Sequence, residues 1–347
     1  MKIKWGVIGC GGIADRRTIP GMMLAENAEL VAVMDVNKAV AERTAQKYGA
    51  KYAFDNADEL LKTDEIQAVY IASPVFCHSE QCIAAAKAKK HILIEKPVAL
   101  TAEEAQKLSD ICDKEGVKLS VGFMMRFHAY HQKMRELISE GKLGEIVSAR
   151  AQLTCWYPEM DNCWRQNKEL SGGGAMMDMG IHCIDLIRYI TGLEVKAVTG
   201  MTGNQIFKYN AEDAGAAVFK LENGAMCYVD ANFNIPDAAV KCKIEFYGTK
   251  GSIVAEGTIA QEEGGNIEVL CVNDAGDYDA GQVRNEVQPV DIDVKTGNMY
   301  TKEIELFGRA IEGKGEIPVT AADAIMSQRA IEAVYESSAL GKTINLE

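Results

Sequence analysis

Short apolar runs alternate with segments of helical spacing through the first 122 residues, and this alternation limits the fold more than any other feature of the chain. The apolar runs, predicted to be strands, are residues 3–8, 30–34, 68–71, 91–94 and 118–121. The intervening helices include residues 38–48, 79–89 and 101–115. Thr101 and Glu104 form a capping-box pattern at the start of the last of these. Strands and helices at this spacing predict a doubly wound parallel sheet, which we expect to be one domain, residues 1–122.

The pattern changes after residue 123. Asn223-Gly224 separates two alternating apolar runs, which is a strong signal for a β-hairpin, and residues 248–251 indicate a second one. We therefore expect a second, α+β domain over residues 123–347, with a large, mostly antiparallel sheet that helices cover on one face only. Residues 257–298 are polar and weakly periodic, and they support no prediction.

The charge balance excludes several function classes. Lys and Arg number 37 against 50 Asp and Glu, a net charge of −13, so a basic face for nucleic acid or an anionic membrane is not expected. No apolar run approaches transmembrane length, and the chain enters a strand at once, which predicts no signal peptide. Its 10 cysteines are dispersed without a Cys-x-x-Cys pair, as in a cytoplasmic protein with reduced thiols.

A glycine-rich turn follows the first predicted strand. Gly9 permits a tight turn and Gly11 lets the backbone approach a pyrophosphate, while the helix N-terminus beyond Gly12 and Ile13 offers amide donors. Asp35 ends the second strand, where a carboxylate accepts hydrogen bonds from ribose hydroxyls. The turn therefore predicts a Rossmann dinucleotide site that prefers NAD, because the carboxylate repels a 2′-phosphate. Lys38 leaves room for NADP.

Two further strand ends carry candidate cofactor contacts. Lys96 ends the fourth apolar run, after Glu95 and before a proline that disfavours helical backbone at the lysine. A lysine at the carboxyl end of a strand in an open α/β sheet indicates a contact with cofactor or substrate. Ser73 and Pro74 follow the third run. His78 then opens a helix, and two interpretations stand for it, a surface or capping histidine and a cofactor contact.

The densest polar signal is the run from Gly172 to Asp185. Its glycines let the backbone pass close to a ligand or a neighbouring segment. Asp178 and His182 lie four residues apart and would share one face of a helix, where a carboxylate can orient an imidazole that acts as a general base. The same spacing also occurs in purely structural pairs. Asp185 points away from them, so no metal site is predicted.

Taken in order, these motifs resemble the Gfo/Idh/MocA oxidoreductases, the relatives of glucose–fructose oxidoreductase and inositol dehydrogenase. The matching segments are residues 9–14, 73–78, 95–97, 122–127, 164–165, 172–185, 246–252 and 317–337, which cover the chain nearly end to end. The resemblance implies that Lys96 contacts the cofactor and is catalytic together with Asp178 and His182. It also implies that Trp164 and Arg165 lie by the nicotinamide and the substrate.

The resemblance and the residues together give two sets of site predictions. Predicted cofactor contacts are Gly9, Gly11, Gly12, Ile13, Asp35, Lys38, Ser73, Pro74, His78, Glu95, Lys96, Arg126, Trp164 and Arg165. Predicted substrate contacts are Lys96, Arg126, Tyr157, Arg165, Asp178 and His182, with Tyr300 and Asn234 as further candidates. The family often has a polar residue where this chain has Met124, so a polar cofactor contact is not expected there.

The resemblance implies an NAD-dependent dehydrogenase that oxidises a secondary alcohol of a sugar, glycoside or cyclitol. Two alternatives stay open. One is redox-neutral glycoside cleavage through a transient ketone, with tightly held NAD. The other is a non-catalytic NAD-binding sensor or regulatory subunit. The expected partners are a small sugar or polyol substrate and further copies of the chain, in a homodimer or homotetramer that buries the open face of the sheet.

Overall fold

A computed structural model of the protein describes residues 2–272 and 287–346. Residues 273–286 fall within the stretch 257–298 and lie outside the described residues. The chain forms two compact units. The first consists of Met1–Phe127, Asn167–Gly172 and Asn298–Arg329, and the second of His128–Gln166, Gly173–Gly297 and Ala330–Glu347.

Strands and helices are numbered in chain order. The strands are β1 (Ile3–Ile8), β2 (Ala28–Met34), β3 (Tyr52–Phe54), β4 (Ala68–Ile71), β5 (His91–Glu95), β6 (Leu119–Gly122), β7 (Ile146–Thr154), β8 (Val195–Gly203), β9 (Ala214–Leu221), β10 (Met226–Asn232), β11 (Lys243–Gly248), β12 (Gly251–Glu256), β13 (Asn266–Cys271), β14 (Gln288–Pro289) and β15 (Ile344–Asn345). The helices are α1 (Ile19–Leu24), α2 (Lys38–Tyr48), α3 (Ala57–Leu61), α4 (His78–Lys87), α5 (Ala102–Glu115), α6 (Ala129–Ser139), α7 (Lys168–Ser171), α8 (Ile181–Thr191), α9 (Met299–Ile311) and α10 (Ala321–Leu340). Single π-helical turns, Ala14–Thr18 and Met176–Gly180, precede α1 and α8.

The first unit contains a six-stranded sheet in the order β3-β2-β1-β4-β5-β6, and all its neighbouring strands are parallel. The prediction of a doubly wound sheet is confirmed. Chain order reverses between β1 and β4, so the carboxyl ends of these two strands flank a crevice where such sheets bind ligands.

The start of α5, the helix after β5, is determined by local sequence. The Thr101 side chain accepts a hydrogen bond from the Glu104 N–H (3.1 Å), so the predicted N-cap is confirmed. The reciprocal bond of a capping box is displaced by one residue, because the Glu104 carboxylate accepts from the Leu100 N–H instead (3.2 Å). This bond joins the helix start to the loop that follows Lys96.

The core of the first unit includes α9, which lies almost two hundred residues beyond β6 in the sequence. The Phe307 ring packs against the ring of Trp5 with centroids 6.0 Å apart. At Gly21 a Cβ atom would lie 2.7 Å from the Cβ of Tyr300, so only glycine lets the chain pass this close to the helix.

Glu303, on the same helix, is a carboxyl group inside this core. It is only 1% exposed, and its Oε1 atom has no hydrogen-bond partner among the described residues. Burial, and then the nearby Glu95 carboxylate, raise the pKa of Glu303 well above its usual value. A carboxyl group whose pKa is raised by folding is protonated in the folded protein and releases its proton on unfolding. The folded state therefore loses stability as the pH rises above the ordinary carboxyl pKa.

We expect Glu303→Gln to match the parent in thermal unfolding at about pH 5 and to be more stable at about pH 8, since the amide cannot ionise. Each unit by which the pKa is raised corresponds to about 1.4 kcal/mol. Glu305 lies two residues after Glu303 on the same helix and is half-exposed. Glu305→Gln should therefore show the same dependence of thermal stability on pH as the parent. A Glu303→Gln protein that is less stable than the parent at the higher pH would contradict this account.

The second unit contains a nine-stranded sheet in the order β14-β13-β12-β11-β7-β10-β9-β8-β15. The β7–β10 pair is parallel and the other pairs are antiparallel, so the sheet is mixed and mostly antiparallel, as predicted. Both predicted hairpins are confirmed. In the first, Asn223 Oδ1 accepts from the Ala225 N–H (2.9 Å) and Gly224 adopts φ +91°, a conformation that favours glycine.

Side chains alternate between the two faces of this sheet. One face contains Phe219 and Phe246, both buried, and α8 packs on the same sheet at β7. Among the outward side chains, Met201 is 80% exposed and Met226 is 52% exposed. The sheet is therefore open on one face. Across residues 2–272 and 287–346, every helix is too short or too polar to cross a membrane.

Candidate cofactor and catalytic sites

The glycine turn after β1 packs directly against the loop after β4. Gly9 has φ +83°, and a Cβ atom there would lie 2.7 Å from the backbone nitrogen of Ser73. The backbone nitrogens of Gly9 and Cys10 both donate to the Met34 carbonyl, at 2.9 and 3.0 Å. These contacts hold the turn across the ends of three neighbouring strands. Gly12 (φ +49°) and Ile13 then lead into the helical segment that continues to α1.

Asp35 lies beside this turn. A Cβ atom on Gly11 would be 3.4 Å from Asp35 Oδ2, while the Asn37 N–H donates to Oδ1 (3.0 Å). A glycine turn at a helix start with a carboxylate at its side fits a dinucleotide, whose pyrophosphate needs backbone N–H groups and whose ribose needs an acceptor. The Nζ of Lys38 lies 3.9 Å from Asp55 Oδ2, and both side chains are exposed.

His78 connects two of the predicted cofactor loops. Its Nδ1 lies 3.0 Å from the Pro97 carbonyl oxygen, and its Nε2 lies 3.0 Å from the Ser73 carbonyl oxygen. The ring is only 1% exposed, so the interpretation as a surface histidine is wrong. It bridges the loop that begins at Ser73-Pro74 and the loop that begins at Lys96. The Ser73 hydroxyl itself donates to Gln81 Oε1 (2.6 Å).

Lys96 follows β5 and is half-buried, and the Lys96–Pro97 peptide bond is cis. The Glu95 carboxylate accepts a hydrogen bond from the Tyr70 hydroxyl, which also lies 2.9 Å from Thr18 Oγ1. Burial raises the pKa of Tyr70 well above its usual value, so the phenol keeps its proton and acts as the donor. The Glu95 carboxylate, directly before Lys96, is thus held by a side chain of the neighbouring strand β4.

Two other predicted residues of the first unit, Arg126 and Tyr300, are buried inside it. Arg126 is buried in a 3₁₀ turn, Met124–Phe127, and its Nη1 donates to Asp323 Oδ2 (3.1 Å) at the start of α10. Met124, in the same turn, is buried as well. Tyr300 is buried in the core beside Gly21, so it is not placed to meet a solvent-borne substrate.

In the second unit the structure brings together Tyr157, Arg165 and Asp178. Arg165 Nε lies 3.9 Å from Asp178 Oδ1, and its guanidinium stacks over the Trp164 ring at 4.3 Å from the centroid. The Tyr157 hydroxyl lies 3.2 Å from Cys163 Sγ, and burial raises the pKa of Tyr157. This cluster combines a phenol, a guanidinium and a carboxylate, which are groups that bind the hydroxyls of a polyol.

Asp178 lies on the π-helical turn, and His182 follows one turn later on α8, where it is buried. The predicted helical context of the pair is confirmed, although the turn that carries Asp178 is π-helical. Asn234 lies at the edge of this region, where it forms a β-bridge with Trp156. Within the part of the chain that the structure describes, no group of three or more His, Cys, Asp or Glu side chains could hold a metal ion.

Two residues that the sequence analysis did not single out hold the segment before Asp178. The Glu212 carboxylate accepts hydrogen bonds from the Gly174 N–H (2.7 Å) and the Met176 N–H (2.9 Å). The Tyr335 hydroxyl donates to Glu212 Oε1 (2.8 Å) and accepts from the Met177 N–H (3.0 Å). An acidic pair directly before a buried strand was the available signal for Glu212, and Tyr335 lies in the segment 317–337 that resembles the family, without a feature that marks the residue itself.

Comparison with known proteins identifies the family. Residues 3–123 match a model described as an oxidoreductase family with an NAD-binding Rossmann fold, and residues 131–254 match the GFO/IDH/MocA C-terminal domain. The chain belongs to the Gfo/Idh/MocA family of oxidoreductases. The predicted resemblance is therefore confirmed, and the fold described above is the fold of this family.

Several members of the family are similar to this chain over most of its length. Myo-inositol 2-dehydrogenase of Thermotoga maritima is 30% identical over 258 residues, 73% of this chain and 75% of that protein. D-xylose 1-dehydrogenase (NADP(+)) 2 of Haloferax volcanii is 27% identical over 347 residues, 99% and 100% of the two chains. The solved structure of levoglucosan dehydrogenase with NADH and levoglucosan is 25% identical, has a TM-score of 0.86 and covers 99% of each chain. The family relatives thus include dehydrogenases of sugars and of a cyclitol.

Proposed function

We propose that the protein is an NAD-dependent dehydrogenase that acts on a secondary alcohol of a sugar, glycoside or cyclitol. The observation that carries the proposal is the cluster of Tyr157, Arg165 and Asp178, with His182 one helical turn beyond. Hydroxyl-binding groups beside an imidazole that can act as a base suit a polyhydroxylated substrate. The activities named for the three relatives support the same class.

A bound nicotinamide dinucleotide would supply the hydride acceptor, and the residues of the chain would move the proton. In this proposal a ring nitrogen of His182 takes the proton from the substrate hydroxyl. The Lys96 ammonium donates a hydrogen bond to the same oxygen and stabilises its developing negative charge. Asp178 orients His182, and Arg165 beside it binds a neighbouring hydroxyl of the substrate.

A screen of free sugars, glycosides and inositols with NAD, monitored for NADH, tests the function. Formation of NADH with one of them is the expected result. Cleavage of a glycoside without net NADH would instead support the redox-neutral alternative. Tight NAD binding with no turnover of any compound would support the non-catalytic sensor.

The cofactor preference follows from Asp35. A 2′-phosphate near that carboxylate would meet like-charge repulsion on the order of a kcal/mol or more. We expect NAD to bind more tightly than NADP by about tenfold, which corresponds to about 1.4 kcal/mol. Calorimetric titration of both cofactors checks this, and Asp35→Ser should reduce the ratio while Lys38→Ala should not. A parent that binds NADP as tightly as NAD would defeat the prediction.

The open face of the nine-stranded sheet supports self-association. Met201 and Met226 are exposed there, beside Tyr228, and large apolar surface is usually covered by a partner. We expect a homodimer or homotetramer, measured by sedimentation at micromolar concentration. Charge substitution at both methionines should produce monomers, and a parent that sediments only as a monomer would contradict the proposal.

The cysteines support a cytoplasmic location for the enzyme. All ten lie in the described residues, and no disulfide joins any of them. Thiols persist in this state in reducing compartments.

A further inference from the structure

We propose that Glu212 and Tyr335 are positioning residues for the reaction: they hold the backbone that carries Asp178 and, one turn later, His182. The inference rests on the proposed function, because it assigns these two residues a role through the catalytic pair. Neither residue belongs to the cofactor or substrate contacts named above. Their effect would be transmitted entirely through the main chain of residues 174–178.

The hydrogen bonds form a closed network around the first turn of the helical segment. Glu212 accepts from the backbone nitrogens of Gly174 and Met176, and Tyr335 reaches Met177 between them and Asp178. The Ala175 N–H donates to the backbone carbonyl of Glu212 (3.0 Å). Four successive backbone N–H groups are therefore bound by Glu212 and Tyr335, just before the residue that would orient the base. N–H groups at the start of a helix have no partners within it, so these bonds fix where the helix begins.

The glycines of this segment are explained by the same two residues. A Cβ atom on Gly173 would lie 2.1 Å from the Tyr335 hydroxyl oxygen, and one on Gly174 would lie 1.9 Å from the Glu212 carbonyl oxygen. Both distances are far below any real contact, so the backbone is in direct contact with Tyr335 and Glu212. The glycine run predicted a close approach to a ligand or to a neighbouring segment, and the structure shows the second for these positions.

Burial of the Glu212 carboxyl group is unfavourable for the stability of the folded state. The side chain is buried, and burial raises the pKa of Glu212, although its bonds from Tyr335, Met176 and Gly174 act in the opposite direction. An apolar side chain of similar volume would avoid this cost but would leave the Gly174 N–H, the Met176 N–H and the Tyr335 hydroxyl without their acceptor. The carboxyl group therefore fixes the position of this segment, and a displacement of about 1 Å at a reacting group can lower a rate about a hundredfold.

Tyr335→Phe and Ser337→Ala form a matched pair of tests on α10. Each removes one hydroxyl group that makes two hydrogen bonds in the second unit. Ser337 Oγ accepts from the Gly200 N–H (3.0 Å) and donates to the Lys342 carbonyl (2.7 Å), away from the Asp178 segment. We expect Tyr335→Phe to lower kcat about tenfold or more with the Kd for NAD within about twofold of the parent. Ser337→Ala should lower the Tm by a similar amount but leave kcat within about twofold.

Hydrogen exchange provides a readout that does not depend on turnover. Backbone amides of residues 174–182 should exchange faster in Tyr335→Phe than in the parent and should be unchanged in Ser337→Ala. Glu212→Gln keeps an acceptor for Met176 and Tyr335 but places an amide donor against the Gly174 N–H. Glu212→Gln should therefore have a kcat between that of the parent and that of Glu212→Ala. If Tyr335→Phe fails to fold, Glu212→Gln takes its place in the test.

The outcomes separate the inference from the proposed function. If His182→Asn loses turnover while Tyr335→Phe keeps both parental kcat and parental exchange, the positioning role is wrong and the proposed function stands. If exchange of residues 174–182 accelerates in Tyr335→Phe but no alcohol is oxidised by the parent, the structural coupling holds and the proposed function is wrong. Equal effects of Tyr335→Phe and Ser337→Ala on kcat would also overturn the inference.

Discussion

Replacing His182 by asparagine should lower turnover by about 10²–10⁴-fold, because the amide keeps a polar side chain but cannot accept the substrate proton. NAD should still bind within about tenfold of the parent, since the glycine turn and Asp35 lie in the first unit and are unchanged. In the parent, activity should rise with pH as the imidazole loses its proton and becomes a base. The variant should lack this limb of the pH profile.

The matched control for His182 is a second buried histidine of the same unit. His131 Nε2 lies 3.1 Å from Thr258 Oγ1, and the ring is buried in the second unit. His131→Asn should therefore affect Tm more than kcat. If His182→Asn retained near-parental turnover on the best substrate, the base would have to be Asp178 or Lys96.

The strands and helices that were predicted correctly are those whose hydrophobic pattern is visible within a single short stretch of sequence. The strands at 3–8 and 68–71 and the helix at 38–48 have the predicted bounds, because each is a clear apolar run or amphipathic segment with a cap. The short strand β3 and the helix α3 were not predicted, since three and five residues are too few for a period to be seen. β8 was missed as well, and its two glycines interrupt the alternation on which a strand prediction depends.

Chain order, in contrast, does not reveal which unit an element joins. α9 belongs to the core of the first unit through contacts such as that of Phe307 with Trp5, which are three hundred residues apart in sequence. The same limit applies to the sites. The Arg126–Asp323 and Glu212–Tyr335 partners are brought together by tertiary structure, so no local pattern could have paired them. The motif at Gly9–Asp35 could be predicted because a strand, a turn and a helix suffice to assemble it.

The second large decrease in turnover is expected when Lys96 is substituted. Lys96→Met keeps the length and apolar bulk of the side chain but removes the ammonium group that would stabilise negative charge on the substrate oxygen. Losing one such contact lowers the rate of the chemical step by about 10²–10³-fold. Because the contact strengthens as charge develops, kcat should fall far more than the affinity for substrate or NAD. Steady-state kinetics with NAD titration in parallel measures both quantities.

Lys90 provides the control for removing a buried ammonium from the same sheet. Its Nζ donates to the carbonyl oxygens of Thr63 (3.0 Å) and Ile66 (2.8 Å), and burial lowers its pKa. It precedes β5, at the opposite end of the strand from Lys96. Lys90→Met should therefore reduce Tm, since two carbonyls lose their donor, and leave kcat near the parental value. If both lysine variants lowered kcat equally, the effect at Lys96 would reflect a disturbed sheet, and the assignment of Lys96 to the reacting oxygen would be wrong.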